Sequence, residues 1–230
     1  TVLSETIEGL RKAVWDFQIA NASAGNPLDM TSLVKNADME QRDPVGWIND
    51  TNITDFHTEP VNGNFTLLTG YFLQTWNNTA DAEIGKTGRI YQTLTDLPNG
   101  YYTLTAAYTE MWEGQEEDQV IETGTNVYLY GGSRQTELVI DKLSRFGFPE
   151  TGGRVATVED VQVTDGTLEV GVRYEGAHMT VSALDNVILY YKGFDTSAMI
   201  EELSNQIGKA KSTLIGKKMQ TIVADRLNTA

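Results

Sequence analysis

The chain lacks cysteine, has only two histidines and contains no long apolar run. Disulfides, thiolate nucleophiles and cysteine-ligated metals are therefore excluded. No stretch reaches the roughly 18 apolar residues that a transmembrane helix needs. Neither His57 nor His178 lies in a zinc-binding spacing, and the sequence has no glycine-rich phosphate loop and no nucleophile elbow. These absences argue against the common catalytic centres.

Positive charge is also scarce. The 230 residues include 17 lysines and arginines against 32 aspartates and glutamates, which gives a net charge of −15. Such a surface repels nucleic-acid phosphates and anionic lipid headgroups, so neither partner is expected. The absence of disulfides fits a cytosolic protein or a bacterial export, and a start at Thr1 without a visible signal peptide fits a mature form or an excised fragment. We expect it to be secreted or held at the cell surface, in the periplasm or at the outer membrane.

Apolar residues follow a helical spacing at both ends of the chain. Steps of three and four residues place one apolar stripe on residues 1–20 and another on residues 195–230, which predicts two amphipathic helices. Gly216 is a potential break in the second helix. The first stripe consists of Leu3, Ile7, Leu10, Val14 and Phe17, and the second begins with Ile200, Leu203, Ile207, Ala210 and Leu214.

Residues 32–192 carry the alternating pattern of β-strands. Tyr102, Leu104, Ala106 and Tyr108 alternate with threonines and alanine, and this period of two places them on one face of a strand. Turns rich in glycine, proline and asparagine separate several such runs. The spacing predicts roughly eight to ten short strands in a sandwich or barrel.

These patterns divide the chain into three parts. They are an N-terminal helix and linker at 1–27, a β-sandwich at 28–193 and a C-terminal helical segment at 194–230. Each helix has one apolar stripe that needs a covering surface. The stripes could cover each other, pack on the sandwich or contact neighbouring modules of a longer chain, and the spacing permits all three.

Two segments at the ends of the β-rich region carry a family resemblance. LVKNADMEQRDPVGW at 33–47 predicts a strand start that runs into a polar turn, and LDNVILYYKG at 184–193 predicts the last strand. With Gly70-Tyr71-Phe72 and residues 90–104 between them, this order is similar to that of galactose-binding-like carbohydrate-binding modules in surface glycan-utilisation proteins of Bacteroidetes. The resemblance covers about residues 28–193. It implies a mainly β fold, a jelly-roll β-sandwich, here with flanking N- and C-terminal α-helices.

The resemblance also implies a structural calcium ion. In many relatives, the acidic residue after the first strand motif and the aspartate before the last strand bind Ca²⁺, and Glu40 and Asp185 occupy these positions. Carboxylate oxygens are hard ligands that suit this ion. The alternative is that Glu40 is a solvated turn residue and that Asp185 caps a strand.

Candidate carbohydrate contacts come from tryptophans in polar surroundings and from loop residues. A pyranose ring stacks its C–H face on an aromatic ring, and its hydroxyls bind planar polar groups. Each tryptophan could instead complete the core. Tyr128 and Tyr130 share a strand face that is either an open aromatic strip or a surface covered by a helix. The predicted carbohydrate-binding residues are Trp76, Asn77, Arg89, Trp112 and Arg145.

These features favour non-catalytic carbohydrate binding that brings an attached or partner glycan-degrading domain to its polysaccharide. The alternative is a structural spacer or protein-docking module in a multi-domain surface protein, and it predicts that both Trp76 and Trp112 are buried. A glycosidase would need two carboxylates at a fixed separation across a cleft. We predict binding rather than catalysis.

Overall fold

Strand pairing in the middle of the chain builds two antiparallel sheets. A computed structural model describes residues 2–61, 65–76, 85–112, 119–141, 152–194 and 197–228. The helices within these residues are α1 (Val2–Asn21), a short 3-10 helix (Thr31–Leu33) and α2 (Ser197–Asn228). The strands are β1 (Leu28–Asp29), β2 (Ile48–Thr51), β3 (Asp55–Pro60), β4 (Tyr71–Trp76), β5 (Lys86–Leu94), β6 (Gly100–Trp112), β7 (Val127–Gly131), β8 (Arg134–Glu137), β9 (Arg154–Val163), β10 (Leu168–Ala177) and β11 (Met179–Tyr191).

The strand order confirms the predicted fold class. Across the described ranges, the first sheet has the order β3-β4-β11-β6-β9, with β1 also paired to β11, and the second sheet has the order β2-β5-β10-β7-β8. Leu28 of β1 lies opposite Tyr191 of β11, so the strands that enter and leave the sandwich are neighbours. Two antiparallel sheets that share one core form a β-sandwich.

The core lies between the two sheets and is built by the alternation visible in the sequence. Tyr102, Leu104 and Tyr108 of β6 are at most 4% exposed, and Trp47 is 6% exposed, as expected for core residues. Val170 of the second sheet is fully buried in the same cluster. Removal of this apolar surface from water is the main force that holds the sheets together.

The strand start predicted at the beginning of segment 33–47 is absent, so that part of the prediction was wrong, whereas the polar turn after it is present. The chain instead forms the 3-10 helix and then turns, with Asn36 and Met39 in the left-handed region at φ +48° and +53°. The Asn36 side chain accepts a hydrogen bond from the Gln41 amide at 3.0 Å and donates to the Asp43 carbonyl at 3.3 Å. A short amide side chain that bonds nearby backbone in this way stabilises a turn at the expense of a strand ladder. Met39, fully buried, anchors the turn in the core.

Both predicted helices are present. Gly216 does not break α2, which continues to Asn228, because one helical glycine costs only about 1 kcal/mol. The apolar stripe of α1 is exposed, from 42% at Ile7 to 75% at Leu3. Trp15 and Ile19, on another side of the helix, pack against the sandwich core instead. The option in which this stripe packs on the sandwich was therefore wrong.

Contacts between residues group the chain into two units, 1–193 and 194–230. The first contains α1 and the sandwich, and the second contains α2. No helix in the described parts of either unit is both long and apolar enough to span a membrane.

Candidate functional site

The outer face of the second sheet carries an array of aromatic and charged side chains. Alternation along each strand turns one set of residues inward to the core and the other set outward. We call the outward set the arginine–tyrosine face. Its members are Ile48, Asp50, Arg89, Tyr91, Tyr128, Tyr130, Gln135, Glu137, Glu169, Gly171 and Arg173.

Gly171 of β10 lies at the centre of this face. The strand register places it between Tyr91 of β5 and Tyr130 of β7. A Cβ at this position would lie 2.0 Å from the carbonyl oxygen of Ile90, so only glycine fits without a backbone shift. Gly171 is itself buried, so the side chains around it close over this backbone.

Two arginines face each other beside Gly171. Arg89 of β5 and Arg173 of β10 are directly opposite in the register, and like charges in such a pair destabilise a sheet. Each guanidinium is held over an aromatic ring. Arg89 lies 4.4 Å from the ring centre of Tyr91, and Arg173 lies 4.5 Å from that of Tyr130. These cation–π contacts offset part of the repulsion.

Glu169 joins one arginine to one tyrosine. Its Oε1 accepts a hydrogen bond from Arg89 Nη1 at 2.7 Å and another from the Tyr130 hydroxyl at 2.7 Å. Burial, together with this hydrogen bond and the charge of Glu169, raises the pKa of Tyr130, so the phenol stays protonated and remains a donor. Tyr130 is only 1% exposed. It therefore forms a floor under Arg173, whereas Tyr91 is half-buried and has Arg89 over its ring.

The structure places Trp76 on the opposite side of the sandwich from Arg89. Trp76 ends β4 and is 43% exposed on the outer face of the first sheet. Asp55 lies opposite it in the register. The imidazole of His57 lies between two carboxylates, with Nδ1 2.6 Å from Asp55 Oδ1 and Nε2 3.0 Å from Glu59 Oε1. This is a second aromatic surface with polar neighbours.

Trp112 occupies a third location. It ends β6 and packs, half-buried, against the sandwich core. Its ring stacks on that of His178, with centroids 6.2 Å apart and planes inclined by 7°. Asn77 and Arg145 lie outside the described residues. Trp76 points outward from the first sheet, Trp112 packs on the core and Arg89 belongs to the second sheet, so the three residues do not converge on one site.

The two predicted calcium ligands approach the same short loop. Asp185 is fully buried; its Oδ2 accepts hydrogen bonds from the Thr69 amide at 2.8 Å and from Asn186 Nδ2 at 3.0 Å. The Glu40 carboxylate lies directly over Gly70, where a Cβ would come within 1.8 Å of Oε1. Burial raises the pKa of Asp185 to about 6, and the nearby charge of Glu40 also raises it.

This donor set fits a hard cation. Asp185 is buried and Glu40 is exposed, the charge of Glu40 acts on Asp185, and both carboxylates present oxygen atoms only, which favours a bound positive charge. Among the described residues, no group of three or more histidines, aspartates and glutamates surrounds the position. Backbone carbonyls would therefore have to supply much of the coordination.

A surface cleft of about 330 Å³ lies next to these residues, at the irregular part of β11. Asn36, Asp38, Gln41 and Asn186 contribute polar groups to it. Its described lining contains no aromatic side chain. The cleft thus offers hydrogen bonds but no stacking surface for a sugar.

A buried polar cluster inside the sandwich was not among the sequence-based predictions. Glu110 is 2% exposed and Lys86 is 1% exposed. Glu110 Oε1 accepts a hydrogen bond from Ser182 Oγ at 2.8 Å, and its Oε2 has no hydrogen-bond partner among the described residues. Lys86 Nζ donates to Thr75 Oγ1 at 3.4 Å. Only a break in apolar alternation near the ends of β5 and β6 could have indicated this cluster.

Sequence analysis also missed Tyr91, Glu169 and Arg173 as possible ligand contacts. The alternation in β10 does separate Glu169, Gly171 and Arg173 from the apolar residues between them. This alternation does not predict which strands pair with β10, and the arginine–tyrosine face depends on that pairing.

No protein-family model matches this chain, and no curated protein matches it. Comparison with solved structures finds similar architectures, and carbohydrate-binding modules are among them. TmCBM61, solved with beta-1,4-galactotriose, aligns with a TM-score of 0.48 and 13% identity over 69% of this chain and 97% of that chain. The CBM22-1 xylan-binding domain from Paenibacillus barcinonensis Xyn10C aligns with a TM-score of 0.42 and 12% identity over 76% and 99%.

An enzyme shares the architecture as well. An apo cyclase from Fischerella sp. aligns with a TM-score of 0.49 and 16% identity over 75% of this chain and 100% of that chain. Because these identities and TM-scores are low, the alignments carry no argument about function, and one fold can host unrelated activities. Function must therefore be argued from the side chains of the face.

Proposed function

We propose that this protein binds carbohydrate without catalysis, through the arginine–tyrosine face. The observation that supports this most directly is the combination of half-buried Tyr91 with the forked donors of Arg89 and Arg173 on one sheet face. A pyranose needs an aromatic ring for its C–H face and planar polar groups for its hydroxyls. The arginine–tyrosine face offers an aromatic ring and planar polar groups on the paired strands β5 and β10.

Preformed contacts on the face support binding. Glu169 holds Arg89 in place at 2.7 Å, and the Arg89 side chain remains 38% exposed. A ligand would therefore meet a guanidinium that has already lost much of its rotamer freedom, which lowers the entropy cost of association. The spacer alternative predicted buried tryptophans, whereas Trp76 is 43% exposed. That exposure favours a binding role.

Glycan titration with matched tyrosine variants tests the proposal. Tyr91→Ala should weaken glycan binding about tenfold, because an aromatic contact contributes about 0.5–1.5 kcal/mol beyond the area it buries. Tyr101→Ala is the control, since Tyr101 is also half-buried but belongs to β6 of the other sheet. Affinities would come from calorimetry with sugars first selected on a glycan array.

Two results would contradict the proposal. The first is a wild-type protein that binds no glycan at millimolar concentration. The second is loss of binding in Trp76→Ala or Trp112→Ala with full affinity in Tyr91→Ala, which would assign the sugar to the tryptophans predicted from sequence.

Glu40 and Asp185 would hold a structural Ca²⁺. The ion would supply positive charge that neutralises both carboxylates, and these side chains would tie the turn at Glu40 to β11. Chelator should then lower the thermal midpoint by several degrees, and Asp185→Asn should remove that difference. An unchanged midpoint after chelation would rule out the ion.

The setting that fits this activity is a secreted or surface-displayed bacterial protein of the glycan-utilisation type. There the module would keep an adjacent glycan-degrading domain near its polysaccharide and raise the local concentration of substrate. A single module of this kind binds weakly on its own, because sugar hydroxyls must lose water to form each new hydrogen bond. The net charge of −15 suits an exposed soluble surface.

A further inference from the structure

The two opposed arginines of the face differ in how their charge is compensated. Arg89 Nη1 lies 2.7 Å from Glu169 Oε1, and Arg89 Nε lies 3.8 Å from Asp50 Oδ2. Among the described residues, Arg173 has no carboxylate partner. Its Nη1 donates to the neutral amide oxygen of Gln135 at 3.2 Å. One of the two guanidiniums therefore keeps an uncompensated positive charge.

The position of Arg173 leaves its donors available. The guanidinium lies over the Tyr130 ring, with its carbon 4.5 Å from the ring centre, and this contact restricts its movement. Tyr130 is in turn held by its hydrogen bond to Glu169. A fixed, planar fork of donors matches the two oxygens of a carboxylate better than any single hydroxyl.

The negative charge of the whole chain affects which anions can reach Arg173. At a net charge of −15, the surface repels anions at long range, but salt screens that repulsion beyond about 8 Å at physiological ionic strength. An acidic group that comes into contact with Arg173 then meets a guanidinium that no described carboxylate neutralises. Short acidic ligands suffer less from the repulsion than long polyanions do.

We propose that Arg173 makes this face selective for glycans that carry a carboxylate, that is, uronic-acid units. The uronate carboxylate accepts two hydrogen bonds from Arg173, while the sugar ring extends towards Tyr91. This inference rests on the proposed carbohydrate-binding function and names its substrate class.

Calorimetry with trigalacturonate and the matched neutral galactotriose tests it. Wild type should bind the acidic trisaccharide at least tenfold more tightly than the neutral one, because a charge-assisted hydrogen bond is stronger than a neutral one. Arg173→Gln should weaken binding of the acidic trisaccharide about tenfold more than binding of the neutral one, and so remove that preference. Arg173→Lys should restore only part of it, since lysine keeps the charge and loses the fork.

Arg134→Gln is the matched control. Arg134 is an exposed arginine on the neighbouring edge strand β8, and the substitution makes the same change in net charge. The Arg134→Gln variant should prefer the acidic sugar to the same degree as wild type. Thermal midpoints of all variants should agree within a few degrees, which separates lost contacts from lost folding.

Equal affinity of wild type for the two sugars would overturn the uronate assignment while leaving carbohydrate binding intact. Equal effects of Arg173→Gln and Arg134→Gln would overturn the role of Arg173. Tighter binding of a sulfated galactotriose than of trigalacturonate would overturn the choice of carboxylate. Failure of the wild type to bind any of these sugars or any array glycan would remove the proposed function itself.

Discussion

Replacement of Glu110 by glutamine should stabilise the protein, and more so as the pH rises. Glu110 is buried between the sheets, with Lys86, Tyr174 and Tyr108 as its titratable neighbours. Burial raises the pKa of Glu110 to about 8, against the opposing effects of the Ser182 hydrogen bond and the charge of Lys86. Burial likewise lowers the pKa of Lys86 to about 8.

The direction in which stability changes with pH follows from proton binding. Between the ordinary glutamate pKa of 4.5 and the raised pKa of about 8, the folded protein keeps a proton on Glu110 that the unfolded chain releases, so the free energy of unfolding falls as the pH rises. The limit for one proton is about 1.4 kcal/mol per pH unit. Lys86 contributes its own change only above about pH 8, where the lowered pKa lets stability recover with rising pH. From about pH 5.5 to 7.5, the advantage of Glu110→Gln should therefore grow by about 2 to 3 kcal/mol.

Urea unfolding of wild type and Glu110→Gln at several pH values in this window measures the difference directly. Glu175→Gln is the control, because Glu175 is an exposed glutamate on β10 and loses the same charge. Its difference from wild type should not change with pH. If Glu110 were ionised and paired with Lys86, Glu110→Gln would instead destabilise the protein by about 3–5 kcal/mol. That sign, or two parallel pH profiles, would refute the reasoning.

Two further substitutions test the core and the loop at Glu40. Leu104→Ala should lower the free energy of unfolding in urea by about 2–5 kcal/mol, because Leu104 is fully buried; a change below about 1 kcal/mol would contradict its core position. Gly70→Ala should displace the Glu40 carboxylate and remove any calcium-dependent rise in thermal midpoint, whereas Gly132→Ala, at the same φ of +56° but with its nearest neighbour at 3.4 Å, should keep that rise. An equal calcium response in both variants would count against the proposed ligand.

Regular periodicity predicted the parts of the fold that depend on local sequence. The spacing of apolar residues predicted both helices, and alternation in β6 placed Tyr102, Leu104 and Tyr108 in the core. The segment at 33–47 was misread because apolar residues at its start resemble a strand. The Asn36 side chain decides that segment, since its hydrogen bonds to Gln41 and Asp43 favour a turn.

The candidate site was harder to predict from the sequence than the fold. Tryptophans in polar surroundings are a strong signal in a sequence. They led to the prediction of Trp76 and Trp112, which lie apart from Arg89. The arginine–tyrosine face has a weaker signal, because tyrosines and arginines are ordinary residues on an outer strand face. Only their juxtaposition is unusual.

By itself, the sequence determined which side chains point inward and which point outward, because alternation is a property of each strand alone. The tertiary structure decided which outward residues meet. Arg89 and Glu169 are 80 positions apart, yet they form a 2.7 Å contact because β5 pairs with β10. Strand pairing over such distances depends on how both sheets close around one core, and no local pattern records it.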